Sequence, residues 1–383
     1  MTTPIKRIAI NVGAGYVPGL NTVISGAVLA ANELGWEVVG IRDGFEGLLF
    51  RDRYPDRGLV SLTPQLTATL DPAGVLLGTA VRNDPFHVRT INADSLVEEV
   101  DQSEALLETL RQEGIDAVVS VVGSRGLTIL YKLHRKGLKT VCIPRSTEND
   151  MAATALSFGF NSTLSDTVAM LDRAKQAAQA AHQIAVVEVL GTHAGWLALQ
   201  AGMAVCADAV LIPEIPYDLP KVVAKLQVKA KAGGTYGLVV VAEGAVSAEP
   251  DTPEETAISA LKAALSPLAN DYEGAHVIQR SGYAAETVAL QLQRLTDHET
   301  YPLVVGPWVK GGVPTAVDRQ LGLGYGAAAV RALNTGQTGV MVAFQPPDLT
   351  LVPLAQAINK VRTVPANSEF IQIARSLGIC LGG

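Results

Sequence analysis

Short apolar runs alternate along this chain with longer segments of helical character. Runs typical of buried β-strands cover residues 8–12, 36–41, 117–122, 141–143, 184–190 and 237–243. Helices are predicted over residues 22–34, 96–113, 219–231 and 283–295. A regular alternation of strand and helix is typical of doubly wound parallel sheets. The sequence therefore predicts an α/β protein.

Composition narrows the class of protein further. The 383 residues are 48% hydrophobic and 17% charged, which suits two domains that share a large core. The net charge of -7 argues against nucleic acid as a general partner. No apolar run approaches a membrane span and the first residues lack a signal-peptide pattern, so we expect a cytoplasmic protein without a membrane partner. Cys142, Cys206 and Cys380 lack metal-ligand spacing and are expected to be buried, reduced thiols.

A dense polar cluster, residues 145–150, follows the apolar run that Pro144 ends. A helix is predicted to begin at Asn161, with Ser162 or Thr163 as its N-cap. Ligands of open α/β sheets bind just past the carboxyl ends of strands. Two carboxylates and an Asn in such a loop suit a base, a metal ligand or a sugar-binding group. The same residues also suit a polar turn with a capping role, and the spacing favours neither.

A glycine-rich turn follows the first predicted strand. Gly13, Gly15 and Gly19 stand between residues 8–12 and the helix predicted over 22–34. Such a turn lets backbone N–H groups approach a phosphate at the N-terminus of a helix. Many glycine-rich turns are only tight connections, so the turn alone is a weak signal.

These segments resemble the 6-phosphofructokinase family, and the resemblance covers nearly the whole chain. Residues 144–150 resemble that family's Pro-x-Thr-Ile-Asp-Asn-Asp loop. Residues 11–21 resemble its Asn-Thr-Gly-Gly-Gly-Asp-Ala-Pro-Gly-Leu-Asn turn. Further matching segments are residues 40–48, 78–86, 122–126, 186–196 and 306–319.

The resemblance implies two doubly wound, Rossmann-like domains of the phosphofructokinase fold, with the active site in the cleft between them. Residues 1–159 plus 310–357 would bind the donor phosphates of a nucleotide or of pyrophosphate. Residues 160–309 plus 358–383 would bind a sugar phosphate. The resemblance also implies a homodimer or homotetramer with substrate sites partly shared across subunits, and a role in glycolysis.

Individual side chains receive roles from the same resemblance. Glu148 stands on the family's proton-accepting aspartate and Asp150 on its metal-side acid, so both are candidate catalytic residues. Asp150 is also the candidate ligand of Mg²⁺. The candidate donor-phosphate residues are Gly13, Gly15, Arg82, Ser124, Arg125 and Gly126. The candidate substrate residues are Ser146, Asn149, Gln183, Thr192, Glu243, Tyr301 and Lys310.

The chain departs from the family where metal and phosphate would be bound. Ser124 replaces the aspartate that anchors magnesium, and a hydroxyl is a poor sole protein ligand for that ion. Arg145 stands where a lysine often marks the pyrophosphate-using branch of the family. Family arginines and a histidine that reach the substrate are replaced by Gln183, Thr192, Tyr301, Pro307 and Lys310.

Three functions are therefore open. The first is phosphoryl transfer with Mg²⁺ from ATP or pyrophosphate to fructose 6-phosphate. The second is a catalytically silent paralogue that acts as a regulatory or partner subunit in a hetero-oligomer with an active phosphofructokinase. The third is a phosphotransferase with a different sugar-phosphate acceptor.

Overall fold

The computed structural model describes residues 5–79, 84–91, 97–249, 282–296 and 298–383. Its longer elements, in chain order, are β1 (Arg7–Val12), α1 (Leu20–Glu33), β2 (Glu37–Ile41), α2 (Glu46–Leu49), β3 (Leu59–Ser61), α3 (Pro64–Thr67), β4 (Val88–Ile91), β5 (Val97–Val100), α4 (Ser103–Gln112), β6 (Ala117–Val122), α5 (Ser124–Arg135), β7 (Thr140–Pro144), α6 (Phe160–Ala181), β8 (Ile184–Val189), α7 (Trp196–Ala204), β9 (Ala209–Leu211), α8 (Leu219–Lys231), β10 (Gly237–Ala242), α9 (Tyr283–Thr296), β11 (Thr300–Val304), α10 (Ala316–Asn334), β12 (Val340–Gln345), β13 (Asp348–Pro353), α11 (Leu354–Ala357) and α12 (Glu369–Ser376). Short 3-10 helices cover Arg51–Arg53 and Gly306–Lys310.

The elements form two compact units. The first comprises Met1–Ser146, Met151–Gly159 and Gly312–Lys360. The second comprises Thr147–Asp150, Phe160–Gly311 and Val361–Gly383.

The first unit is built on a seven-stranded sheet with the order β13-β12-β7-β6-β1-β2-β3. Its five inner strands are parallel, and β3 and β13 close its two edges in antiparallel pairing. Successive side chains of a strand point to opposite faces. Ile8 and Ile10 of β1 pack with apolar residues of α1 and α10, whereas Ala9 packs with those of α4 and α5. Helices therefore cover both faces of this sheet.

The second unit has a four-stranded parallel sheet with the order β11-β8-β10-β9. Apolar residues of α8 and α9 pack against Ile184, Val186, Val239 and Val241. The helices α6 and α7 contact the same strands. The predicted α/β class with two doubly wound units is thus confirmed. The predicted division into donor-binding and sugar-binding parts stays a prediction.

Three local predictions were wrong. Residues 97–100, predicted as part of a helix, form β5, because they pair in antiparallel fashion with β4. The helix predicted to begin at Asn161 begins at Phe160, so Ser162 and Thr163 lie within it rather than at its cap. Cys142 is a buried free thiol as predicted, but Cys206 is exposed and Cys380 only half-buried.

None of the helices in the described residues is long and apolar enough to span a membrane.

Candidate active site

Two neighbouring strands of the second unit end in loops that hold each other in place. Strands β8 and β10 are parallel partners, so their carboxyl ends lie at the same edge of the sheet. The Glu243 N–H donates to the Val189 carbonyl at 3.0 Å, and the Gly244 N–H donates to the Gly191 carbonyl at 3.1 Å. A β-carbon on Gly244 would lie 2.1 Å from the Thr192 carbonyl oxygen, so only glycine fits there. The two loops therefore hold Thr192 beside Glu243.

Thr192 joins two carboxylates at this edge of the sheet. Its N–H donates to Glu148 Oε2 at 3.0 Å, and its hydroxyl donates to Glu243 Oε1. Glu148 comes from residues 147–150, which belong to the second unit although residues 146 and 151 belong to the first. The structure thus brings together three side chains that the sequence predicted as site residues.

The backbone fixes the remainder of this loop. Asn149 is buried and has a φ of 55°, in the left-handed region that Asn tolerates better than most residues. The Asn149 carbonyl accepts a hydrogen bond from the Arg362 guanidinium at 3.1 Å, and the Asp150 carbonyl accepts one from the Arg362 N–H at 2.8 Å. Ser146, the other predicted substrate residue of residues 145–150, is buried. It belongs to the first unit, where its N–H donates to the Phe158 carbonyl at 3.3 Å.

Burial raises the pKa of Glu148 from its ordinary value of 4.5 to about 8. Repulsion by Asp150 and Glu243 adds to this rise in pKa, whereas the charge of Lys310 and the Thr192 N–H oppose it. The side chain as a whole is only half-buried, but its carboxylate stands among many protein atoms, and the pKa follows the surroundings of the carboxylate. A carboxyl group with a pKa near the working pH is suited to accept a proton in catalysis.

A fourth carboxylate, Glu188, has a structural role. It lies on β8 and is 2% exposed. It accepts the N–H groups of Gly282 at 2.5 Å and of Ala285 at 3.1 Å, at the start of α9. Burial raises its pKa, and these N–H groups oppose the rise. Glu188 therefore caps α9, a role that no local sequence pattern predicts.

Gln183 and Tyr301 lie at the other end of the sheet from Thr192. Gln183 directly precedes β8, and Tyr301 is the second residue of β11. Strand β8 alone spans roughly 16 Å, at about 3.3 Å per residue. The Gln183 amide donates to Glu299 at 2.7 Å, and the Tyr301 hydroxyl donates to the Ala174 carbonyl at 3.1 Å. The structure of one chain therefore does not bring these two predicted substrate residues to Glu148. Their substrate role stays a prediction.

The glycine-rich turn of the first unit lies against an arginine. The Gly13 N–H donates to the Val121 carbonyl at 2.9 Å, which fixes the start of the turn beside β6. Gly15 has a φ of 80°, and a β-carbon there would lie 3.2 Å from Arg145 Nη2. The Arg145 N–H donates to the Val122 carbonyl at 3.1 Å. Arg145 thus presents its guanidinium to the predicted phosphate-binding turn, although Arg145 is not among the candidate donor-phosphate residues predicted from the sequence.

The start of α5 holds the other predicted donor-phosphate residues of this unit. Ser124 is its first residue and half-buried, and Arg125 is exposed. A β-carbon on Gly126 would lie 2.6 Å from Val122 Cβ, so close packing of α5 on β6 accounts for this glycine. Arg82 lies outside the described residues. The donor-binding roles of all four residues stay predictions.

The described residues offer few side chains as ligands for a metal ion. Among the residues that the structure describes, no three His, Cys, Asp or Glu side chains form a group that would hold a metal ion. Magnesium carried by phosphates needs only one or two protein carboxylates. Asp150 offers one such carboxylate in the second unit, and Ser124 offers a hydroxyl in the first. One carboxylate such as that of Asp150 would suit a magnesium ion that arrives with its phosphates, and the magnesium roles of Asp150 and Ser124 stay predictions.

Comparison with known proteins gives a consistent result. Residues 7–333 match the family described as phosphofructokinase. The chain is 35% identical over 382 residues to an ATP-dependent 6-phosphofructokinase of Chloroflexus aurantiacus, covering 100% of this chain and 99% of the relative. It is 33% identical to the ATP-dependent 6-phosphofructokinase 2 of Clostridium perfringens, covering 99% of each chain.

The fold is also similar to that of solved phosphofructokinase structures. A pyrophosphate-dependent phosphofructokinase from Marinobacter aquaeolei superimposes with a TM-score of 0.72 at 17% identity, covering 99% of this chain and 93% of the other. At that identity the likeness shows the fold alone. The match over residues 7–333 and the full-length relatives show that this chain belongs to the phosphofructokinase family.

Proposed function

We propose that this chain transfers a phosphoryl group from ATP or pyrophosphate to a hydroxyl group of fructose 6-phosphate, as a step of glycolysis in the cytoplasm. The observation that carries the proposal is the contact between Glu148 and Thr192 at the strand ends of the second unit, where α/β proteins bind ligands. The names of the relatives from Chloroflexus and Clostridium support ATP as the donor.

Glu148 is the proposed proton acceptor. In its ionised form it takes the proton of the sugar hydroxyl, whose oxygen then attacks the terminal phosphorus of the donor. The bond from that phosphorus to the bridging oxygen breaks, and ADP or phosphate leaves. Because the pKa of Glu148 is about 8, the ionised fraction grows as the pH rises through that value. We therefore expect turnover to increase from neutral to mildly alkaline pH.

Cations of the first unit are proposed to hold the donor. Phosphoryl transfer depends mainly on positioning and on compensation of charge. The Arg145 guanidinium at the Gly15 turn and Arg125 in the first turn of α5 are suited to bind phosphate oxygens. The resemblance adds Arg82. Asp150 is the residue proposed to hold Mg²⁺, which would compensate the charge of the phosphates.

The contacts of Gln183 and Tyr301 favour a second candidate, a catalytically silent regulatory or partner subunit. Both residues are neutral where the family has arginines for the substrate phosphate, and both are bonded within the second unit. Thr192 is a third neutral replacement. Each lost charge-assisted bond is worth about 1.5–3 kcal/mol. The same losses favour, as a third candidate, an acceptor other than fructose 6-phosphate.

Assembly is part of the proposal. The resemblance implies a homodimer or homotetramer in which a neighbouring subunit completes each substrate site. The distance of Gln183 and Tyr301 from Thr192 within one chain supports such an arrangement. Analytical ultracentrifugation tests it, and a strictly monomeric protein at micromolar concentration would contradict it.

The test of the function is turnover by the purified protein with magnesium, run separately with ATP and with pyrophosphate. Fructose 6-phosphate and a panel of other sugar phosphates serve as acceptors. Two variants, Asp150→Ala and Glu148→Gln, control for contaminating host enzyme. Glu369→Gln, an exposed glutamate of α12, is the matched substitution expected to leave turnover unchanged.

Each outcome selects one candidate. Turnover of fructose 6-phosphate that both site variants abolish supports the proposed reaction. Turnover of another acceptor alone selects the third candidate. Turnover that survives in Asp150→Ala and Glu148→Gln contradicts the site assignment. No turnover with any pair, together with calorimetric binding of a donor or a sugar phosphate, selects the silent subunit.

A further inference from the structure

A C-terminal segment, residues 361–364, lies against the loop that carries Glu148. The Arg362 N–H donates to the Asp150 carbonyl at 2.8 Å. The Arg362 Nη1 donates to the Asn149 carbonyl at 3.1 Å. One residue thus binds the two consecutive carbonyls that follow Glu148 in the chain.

Arg362 is itself held by a buried aromatic side chain. Its guanidinium carbon lies 4.0 Å from the centroid of the Trp196 ring. The Trp196 indole N–H donates to the Arg362 carbonyl at 2.8 Å. Trp196 is 4% exposed, and its ring meets the Phe370 ring edge-on at 5.9 Å. Burial lowers the pKa of the Arg362 guanidinium, which nonetheless stays charged at neutral pH.

Glu214 fixes the same segment at a second point. It accepts the Gly195 N–H with both carboxylate oxygens, at 3.0 and 3.1 Å, at the start of α7. Its Oε1 also accepts the Val364 N–H at 2.7 Å. The segment is therefore anchored at Arg362 and again at Val364, which restricts the movement of Arg362 away from the loop.

We propose that Arg362 is a positioning residue that fixes the backbone of residues 147–150 and, through it, the carboxylate of Glu148 against the Thr192 N–H. Asn149 is held in the left-handed region, which a non-glycine residue leaves readily unless its surroundings hold it. The carbonyl of Asn149 and that of Asp150 are the groups that Arg362 holds. A lysine cannot replace it, because an ammonium lacks the planar group that stacks on Trp196 while donating sideways to a carbonyl.

The effect on the Glu148 carboxylate is independent of any activity of the protein. Its consequence for catalysis rests on the proposed function, in which Glu148 accepts a proton. The test therefore has one readout that needs no turnover and one that does.

The first readout is amide hydrogen exchange, measured residue by residue in Arg362→Met and Arg362→Lys. The Thr192 amide reports on the bond to Glu148, and the Val240 amide, inside β10, reports on the stability of the whole unit. We expect exchange at Thr192 to accelerate at least about tenfold in both variants, with Val240 changed much less. Arg375→Met, an exposed arginine of α12, is the matched control and is expected to change neither rate.

Equal acceleration at Thr192 and Val240 would mean that Arg362 only stabilises the unit, and would overturn the proposal. Unchanged exchange at Thr192 in a folded variant would overturn it as well. Because Arg362→Lys keeps the charge, it carries the test by itself should Arg362→Met fail to fold.

The second readout is the division of the effect between kcat and KM. We expect Arg362→Lys to lower kcat at least about tenfold while the KM for the donor stays within about twofold of the parent value. A fall in kcat/KM through KM alone contradicts the positioning role. Absence of turnover in the parent protein would refute the proposed function and leave the exchange experiment decisive for Arg362.

Discussion

Glu148 should make the stability of this protein decrease as the pH rises. In the folded chain its pKa is about 8, against an ordinary value of 4.5 once the chain unfolds. Between these values the folded state binds one more proton than the unfolded state. The free energy of unfolding therefore falls by up to about 1.4 kcal/mol per pH unit from this group. The direction is opposite to that of a salt-bridged carboxylate, whose stabilisation is lost as the pH falls.

The expected magnitude follows from the two pKa values. Between about pH 6 and about pH 9 the fall amounts to about 2.5 kcal/mol, and the partial exposure of Glu148 reduces it to about 1.5–2 kcal/mol. In Glu148→Gln this contribution disappears, because an amide does not ionise. The free energy of unfolding of the variant should depend less on pH than that of the parent. The variant's gain in stability over the parent should be largest at the alkaline end of this range.

Urea unfolding of parent and variant, without magnesium or phosphates, measures this difference. The chain has three tryptophans, and Trp196 is the one buried in the second unit. Replacing Trp36 and Trp308 by Phe in both proteins makes fluorescence report on Trp196. Glu369→Gln is the matched control and should follow the parent. Parallel pH profiles of parent and Glu148→Gln would refute the inference that burial and neighbouring carboxylates hold Glu148 protonated.

Three further substitutions test single contacts. Thr192→Val removes the hydroxyl that donates to Glu243 but keeps the backbone N–H. We expect the free energy of urea unfolding to fall by about 1–3 kcal/mol, and a fall below about 0.5 kcal/mol would refute the contact. Gly15→Ala forces a β-carbon into a left-handed turn beside Arg145; calorimetry should show donor binding weakened at least about tenfold, with a loss of about 1–2 kcal/mol in stability. Glu214→Gln removes the charge of the carboxylate that accepts the N–H groups of Gly195 and Val364. We expect the free energy of unfolding to fall by about 1–2 kcal/mol, and a thermal unfolding curve that matches the parent would contradict this.

The strands were the most predictable part of the fold. All six residues of β6 and of β8 are buried, because helices cover both faces of a parallel sheet, and such strands are near-continuous apolar runs in the sequence, here interrupted only by Ser120 and Glu188. The helix α8 also agrees with its predicted bounds, Leu219–Lys231. In these elements the local pattern and the tertiary environment favour the same structure.

The wrong predictions have long-range causes. Residues 97–100 carry a pattern that suits a helix, and only their pairing with β4 makes them a strand. Likewise, the Gly159 N–H before α6 donates to Asp318 at 2.8 Å, a partner 159 positions away in the chain. No window of local sequence contains that contact.

The candidate site was predictable in part, because the resemblance named Glu148, Thr192 and Glu243, which the fold brings together. Arg362 was not predictable. A single arginine in a C-terminal loop has no local signal, and its partner Asn149 lies 213 positions earlier.

The contacts that place Glu148 involve backbone groups of its own loop and of Thr192. Three of the groups that fix the loop are backbone groups: the Thr192 N–H and the carbonyls of Asn149 and Asp150. Any residue other than proline at position 192 supplies that N–H, so we expect side-chain substitutions of Thr192 to leave the bond to Glu148 in place. We therefore expect side-chain changes at position 192 to alter the charges near Glu148 more than the position of its carboxylate. Arg362 differs from Thr192, because its side chain does hold the loop, and its replacement should therefore move Glu148 itself.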